Sequence, residues 1–132
     1  MTAGFTGTRA GLTLKQRRYI VELLRGVTEI HHGDCIGADA EVHDIAVMLG
    51  VAIVIHPPID PKQRAWCNQS QAILVAPPKP YLDRNKDIVR SSNVLIAAPK
   101  ETVEPAPGRG QGTWSTVRFA RRSLVPVEIA FP

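Results

Sequence analysis

Apolar positions along the chain switch repeatedly between two periods. Short continuous or alternating runs read as strands, and runs with apolar residues at i, i+3, i+4 and i+7 read as helices. A first strand is predicted over residues 3–6. A helix follows, opened by a capping box, Thr13-Leu14-Lys15-Gln16. Its apolar face is Tyr19, Ile20, Leu23, Leu24 and Val27, and Gly26 marks its stop. A second strand is predicted over 28–32, then a tight turn over 33–38. Asp39 is placed to cap a second helix, in which Val42, Ile45, Ala46 and Leu49 share a face. After Gly50 comes a third strand, 51–55, apolar throughout as a strand covered on both faces should be.

The next segment, 56–80, breaks the pattern with six prolines: Pro57, Pro58, Pro61, Pro77, Pro78 and Pro80. A stretch this long between regular elements reads as a lid or insertion, with 71–76 as a short strand or extended piece within it. A helix is predicted over 83–91, a strand over 93–98, and a second proline-rich loop over 99–107. The glycine-rich turn Gly108-Arg109-Gly110-Gln111-Gly112-Thr113 leads into a last helix, 114–123, and a last strand, 125–130.

Strands alternating with helices specify an α/β fold: a Rossmann-like three-layer sandwich around a central, mostly parallel sheet of about five strands. Residues 1–132 read as a single domain without internal repeats. Ligands of such sheets bind outside the carboxyl ends of the strands. Four segments are therefore expected along one edge: 7–9, 33–39, 81–85 and 108–113.

Composition narrows the partner. The net charge of +4 favours an anionic ligand without demanding nucleic acid, since no long run of like charge is present. Aromatic residues make up 5% of the chain, too few for the stacking platform of a general single-strand binder. Cys35 and Cys67 form no CxxC pair and read as reduced thiols. No leader-like pattern and no apolar run long enough to span a bilayer are present, so a cytoplasmic protein without membrane partners is expected.

Each turn has two readings. Glycines at 108, 110 and 112 ahead of a helix let backbone N–H groups approach an anion, and Thr113 can add a hydroxyl; the alternative is a loop with a helix cap. The run Gly33-Asp34-Cys35-Ile36-Gly37-Ala38-Asp39 can hold phosphate or ribose, or be a plain turn with Asp39 as cap. Arg9, after Gly7 and Thr8, can clamp a phosphate or lie free on a loop. His31, His32, Cys35 and His43 cluster in sequence, but neighbouring strand residues point to opposite faces, so no metal site is assigned. Trp114 shares a helical face with Val117 and Leu124 and is expected in the core; Trp66 is open to packing or base stacking.

These segments together resemble the SLOG superfamily, named for DNA-processing protein A (Smf) and Lonely Guy, and most of all its YspA/YpsA-related branch. The resemblance rests on Gly7-Thr8-Arg9, His32-Gly33-Asp34-Cys35-Ile36-Gly37-Ala38-Asp39, Arg84-Asn85 and Gly110-Gln111-Gly112-Thr113, and covers residues 4–129. It implies a nucleotide or nucleotide-derived small molecule held by Gly7, Thr8, Arg9, Gly33, Asp34, Gly37, Ala38, Asp39, Arg84, Asn85, Gly110, Gln111, Gly112 and Thr113. No cofactor is required, a bound nucleotide is allowed, and a homodimer is in keeping with the superfamily. Lonely Guy enzymes carry a catalytic glutamate after their glycine turn, and Thr116 stands at that position here. The remaining acids on matched segments are Asp39 and Asp87. Nucleotide binding is accordingly the first expectation. N-glycoside hydrolysis or transfer on a nucleoside monophosphate is the second, and single-stranded nucleic-acid binding the third.

Overall fold

The computed structural model describes residues 1–132, the side chain of Gln111 excepted. Twelve segments alternate around one sheet: β1 (Thr2–Gly7), α1 (Leu14–Leu24), β2 (Glu29–His32), α2 (Ala38–Leu49), β3 (Ala52–Ile55), two 3-10 turns (Pro61–Gln63 and Gln69–Gln71), β4 (Leu74–Val75), α3 (Tyr81–Arg90), β5 (Val94–Ala98), α4 (Gln111–Arg122) and β6 (Val127–Ile129). The sheet has six strands, not five, in the order β4-β3-β2-β1-β5-β6. Every pairing is parallel. The added strand is β4, two residues that dock on β3 at the sheet edge. Two residues carry almost no periodic signal, which is why the sequence leaves this piece undecided.

The fold is thus a Rossmann-like α/β sandwich. One apolar layer joins Phe5 and Ile30 of the sheet to Ile20, Leu24, Val42 and Ile45 of α1 and α2. The opposite layer joins Leu95 and Ala97 to Val89, Trp114, Val117 and Ala120 of α3 and α4. Trp114 is fully buried, as its helical spacing predicts. Gly4 sets the approach of α3, since a Cβ there would fall 2.7 Å from Ser92 Oγ and 2.9 Å from an Ile88 methyl.

The predicted capping box of α1 forms: Gln16 N–H donates to Thr13 Oγ1 and Thr13 N–H to Gln16 Oε1. The same buried Gln16 amide donates to the Pro99 and Ala130 carbonyls, at 2.7 and 2.9 Å, and so ties the start of α1 to the ends of β5 and β6. The helix ends at Leu24, and Val27 packs into the core from the following turn.

Candidate functional site

Chain order reverses between β1 and β5: β2, β3 and β4 build out on one side of β1, and β5 and β6 on the other. Backbones on either side of such a switch point diverge at their carboxyl ends and leave a crevice. Here the crevice is a cleft of about 530 Å³ lined by Gly7, Thr8, Arg9, Lys100, Gly110 and Thr113, among others. Gly110 has φ +70°, and a Cβ there would lie 2.4 Å from Pro105 and from the Trp114 ring, so the turn requires glycine. Gly112 has φ +34° and ψ −86°, which breaks the helical geometry between Gln111 and Thr113. Nothing lies within 4 Å of where its Cβ would be. The backbone there is bare toward the cleft. Arg9 is exposed, and its guanidinium has no protein partner among the described residues. Gln111 belongs to the same turn, but its side chain lies outside the described residues.

A narrower slot of about 60 Å³ opens beside the cleft and shares Gly7, Arg9, Gly112 and Thr113 with it. Its other lining includes Gly33, Asp39, Arg84 and Asn85. Arg84 reaches across from α3 and is only 5% exposed. Its Nη1 donates to the carbonyls of Gly33 and His56, the latter at 3.1 Å. A Cβ on Gly33 would collide with that guanidinium, so glycine is needed there for a partner 51 residues away. Asp39 is 7% exposed, and its Oδ2 accepts the Cys35 N–H at 3.1 Å. Burial pushes the Asp39 carboxyl up to about 6, against the pull of the Arg84 charge. Burial likewise raises the Cys35 thiol, which is no activated nucleophile.

Not every expected residue reaches these cavities. Asp34 is 1% exposed, with φ +55°. Its Oδ2 accepts from Arg64 Nε at 2.8 Å and its Oδ1 from the Cys67 N–H at 2.9 Å. Its carboxylate thus latches the 56–80 segment to the β2–α2 turn. That segment is an insertion along the sheet edge, and no residue from 57–80 lines either cavity. Trp66 within it is 62% exposed, with the Arg64 guanidinium stacked 3.7 Å from its ring centre. Gly37 and Ala38 serve packing. Gly37 has φ +87°, and a Cβ there would lie 2.4 Å from the Arg9 carbonyl oxygen. Ala38 N–H donates to the Thr8 carbonyl, and Ala38 Cβ abuts Gly7. Protein backbone therefore occupies the start of α2, while the turn before α4 stays open.

Two expectations about acids change. Asp39 does not cap α2: the helix starts at Ala38 behind Gly37, which supplies the positive φ, and the carboxylate turns back to the Cys35 N–H. Asp87 points away from the slot and pairs with Lys79 Nζ at 2.6 Å. Thr116 is buried and donates to the Gly112 carbonyl at 2.9 Å. Cys35 and Tyr81 in the slot come from segments expected at this edge, while the cavity residues the sequence did not single out are Phe5, Thr6 and Ile88 in the slot, and Ala10, Lys100 and Glu101 in the cleft. Lys100 follows the last residues of β5, so the rule that ligands gather at strand carboxyl ends was the signal available for it.

The histidines separate as neighbours on a strand must. His31 Nδ1 meets His56 Nε2 at 2.8 Å on one face, and His32 meets His43 on the other. The second pair has a defined direction. Asp34 N–H donates to His32 Nδ1, so the ring proton sits on Nε2 and is donated to His43 Nδ1 at 2.9 Å. His43 Nε2 continues to Gln71 Oε1 at 2.9 Å. The donor atoms of His32, His43 and Cys67 lie within 4.8 Å of one another, a metal-like grouping. The tautomer argues against ligation: with Nδ1 occupied by a backbone N–H and Nε2 protonated, His32 has no free lone pair to offer.

Fold and site together define an α/β domain with a glycine-walled, cationic cleft at the switch point of a parallel sheet. No family model and no curated protein matches the chain in sequence. Among solved structures, it is similar to the molybdenum cofactor binding protein from the phototrophic bacterium Rippkaea orientalis. The match covers 99% of this chain and 76% of that one, with a TM-score of 0.71 at 17% identity. At that identity the likeness establishes the shared fold. No helix of the described residues is long and apolar enough to cross a membrane.

Proposed function

We propose that this chain is a SLOG-type domain that binds a phosphorylated nucleotide or nucleotide-derived small molecule, with the phosphate in the switch-point cleft. The observation that carries the reading is the open turn at 110–113. Bare backbone at the start of α4 faces exposed Arg9 and Lys100 across one cavity, in which Glu101 is held by Trp114 Nε1. A helix start and two cations favour an anion there. The fold neighbour is a molybdenum cofactor binding protein, which supports a small-molecule ligand over a nucleic acid. Arg9 is the residue to test, because its side chain makes no hydrogen bond or ion pair among the described residues. A charged hydrogen bond contributes about 1.5–3 kcal/mol, so Arg9→Ala is expected to weaken binding of nucleoside mono- and diphosphates roughly tenfold or more. Calorimetry on both proteins measures this, with circular dichroism to confirm an unchanged fold. Equal affinity would remove Arg9 from the site.

The enzymatic alternative has less support. Cleaving an N-glycosidic bond requires a carboxylate to oppose positive charge on the sugar. Thr116 offers a neutral hydroxyl already bonded to its own helix, Asp87 is held by Lys79, and Glu101 on the cleft wall accepts from Trp114 Nε1. Incubation with AMP, followed by chromatography, is expected to show no base release approaching the ordinary enzymatic range of about 1–1000 per second. Turnover in that range, abolished by Asp39→Asn, would make Asp39 catalytic and reinstate the hydrolase.

A further inference from the structure

The slot beside the cleft holds two opposite charges that feel each other without direct contact. No ion pair joins Asp39 and Arg84 among the described residues, although both line the same small cavity. Asp39 is more than nine-tenths buried, and its hydrogen bonds among the described residues come from backbone alone: Cys35 N–H donates to Oδ2 at 3.1 Å, and the Gly33 N–H also acts on the carboxylate. Arg84 Nη1 is committed to two carbonyls, but the described contact of Nη2 is the weakly accepting Cys35 sulfur at 3.5 Å. A buried carboxylate held only by backbone N–H groups thus shares a small cavity with a buried guanidinium whose Nη2 has only a sulfur as described partner. Burial raises the Asp39 carboxyl to about 6 against the opposing Arg84 charge and the two backbone donors. Phe5, Tyr81 and Ile88 supply apolar lining, and Asn85 adds an amide.

Resting on the phosphate-binding reading above, the geometry points to a slot for the edge of a 2-amino-4-oxopyrimidine ring, the unit shared by guanine and pterin. That edge presents two adjacent N–H donors and a carbonyl acceptor. The Asp39 carboxylate takes the ring N–H and the exocyclic amine, and Arg84 Nη2 donates to the carbonyl. The volume of about 60 Å³ admits one ring edge, with the sugar or side chain and phosphate extending into the adjoining cleft of about 530 Å³. A ribose diol would satisfy the carboxylate too. Its hydroxyls are weaker acceptors for Arg84, and a puckered polyol suits the apolar lining less well than a planar ring does.

The test is calorimetry with GMP, IMP, AMP, ribose 5-phosphate and 6-hydroxymethylpterin phosphate. Bidentate pairing of a base edge typically discriminates by about tenfold or more, so GMP is expected to bind at least that much tighter than AMP, and IMP, lacking the amine, to lie between. The pterin ester distinguishes the two sources of the ring: affinity above that of GMP assigns the slot to a pterin, and affinity below it to guanine. Asp39→Asn replaces one acceptor by a donor and is expected to reverse the preference from GMP to XMP, whose 2-oxo group accepts where the amine donated. Should that variant fail to fold, the wild-type series still decides. Equal affinity for GMP, IMP and AMP overturns the ring-edge assignment while leaving the phosphate reading intact. No binding of any ester, ribose 5-phosphate included, overturns both.

Discussion

Asp34→Ala is expected to destabilise the protein by about 3–5 kcal/mol, the usual cost of stranding one partner of a buried ion pair. Arg64 has a side chain only 9% exposed and loses its carboxylate, while the Cys67 N–H loses its acceptor. The left-handed φ of +55° adds a smaller penalty, because aspartate tolerates that region better than alanine does. The damage is directional. Residues 61–67 are held to the β2–α2 turn by this carboxylate and by two backbone hydrogen bonds: Ile36 N–H to the Gln63 carbonyl at 2.9 Å and Ala65 N–H to the Asp34 carbonyl at 2.7 Å. Without the latch, the segment should open before the sheet does. Limited proteolysis is expected to nick the variant between Asp60 and Gln71 while the sheet persists. Urea unfolding followed by circular dichroism gives the total loss. A loss under about 1 kcal/mol, the level of an exposed pair, would show that Asp34 is not the anchor. Asp34→Asn keeps the shape and the tolerance of positive φ, so it separates the charge from the backbone contribution.

This residue also shows where the sequence was legible and where it was not. Signals that act within one turn could be read: Thr13 and Gln16 form the capping box their spacing predicts, and Trp114 goes to the core with Val117. The alternation of strands and helices gave the fold class and the edge along which the loops gather. What could not be read is contact across the fold. Asp34 sits in a glycine turn and looks like a ligand residue, but its partner is Arg64, 30 positions on. Gly33 looks like a phosphate glycine, yet its missing Cβ makes room for Arg84. Asp39 looks like a cap until Gly37 is seen to take the positive φ and start the helix two residues earlier. Lys100 had no motif at all. It enters the site because β5 happens to be the strand beside β1, and strand order is a property of the whole chain.

Acidification below about pH 6.5 is expected to destabilise the protein before its ordinary carboxylates titrate, and the cause lies in the histidines. Burial lowers His32 from 6.5 to about 3, with the neighbouring His43 adding to the effect, and lowers His56 to about 4. Each therefore binds a proton in the unfolded chain at a pH where the folded ring cannot. Between the unfolded and folded values the unfolded state holds the extra proton, so stability rises with pH and falls as pH drops. Each buried histidine contributes a slope of roughly 1.4 kcal/mol per pH unit in its window. Asp39 works the other way. Its folded carboxyl, near 6, stays protonated where the unfolded one, at 3.8, is ionised, so acidification between those values favours the fold. One histidine slope is offset below pH 6 and one remains. The net loss between about pH 6.5 and 4.5 is then roughly 3 kcal/mol. Hydrogen-bond direction gives the structural reason. His32 Nδ1 already accepts from the Asp34 N–H, so a proton there would set two donors against each other and break the chain that continues through His43 to Gln71. Urea midpoints across this range measure the slope, and His56→Asn, less stable at neutral pH, should show a shallower one by about 1.4 kcal/mol per unit. A wild-type profile that is flat from pH 6.5 to 4.5 would mean that the buried rings accept protons without cost, and the directional chain would have to be abandoned.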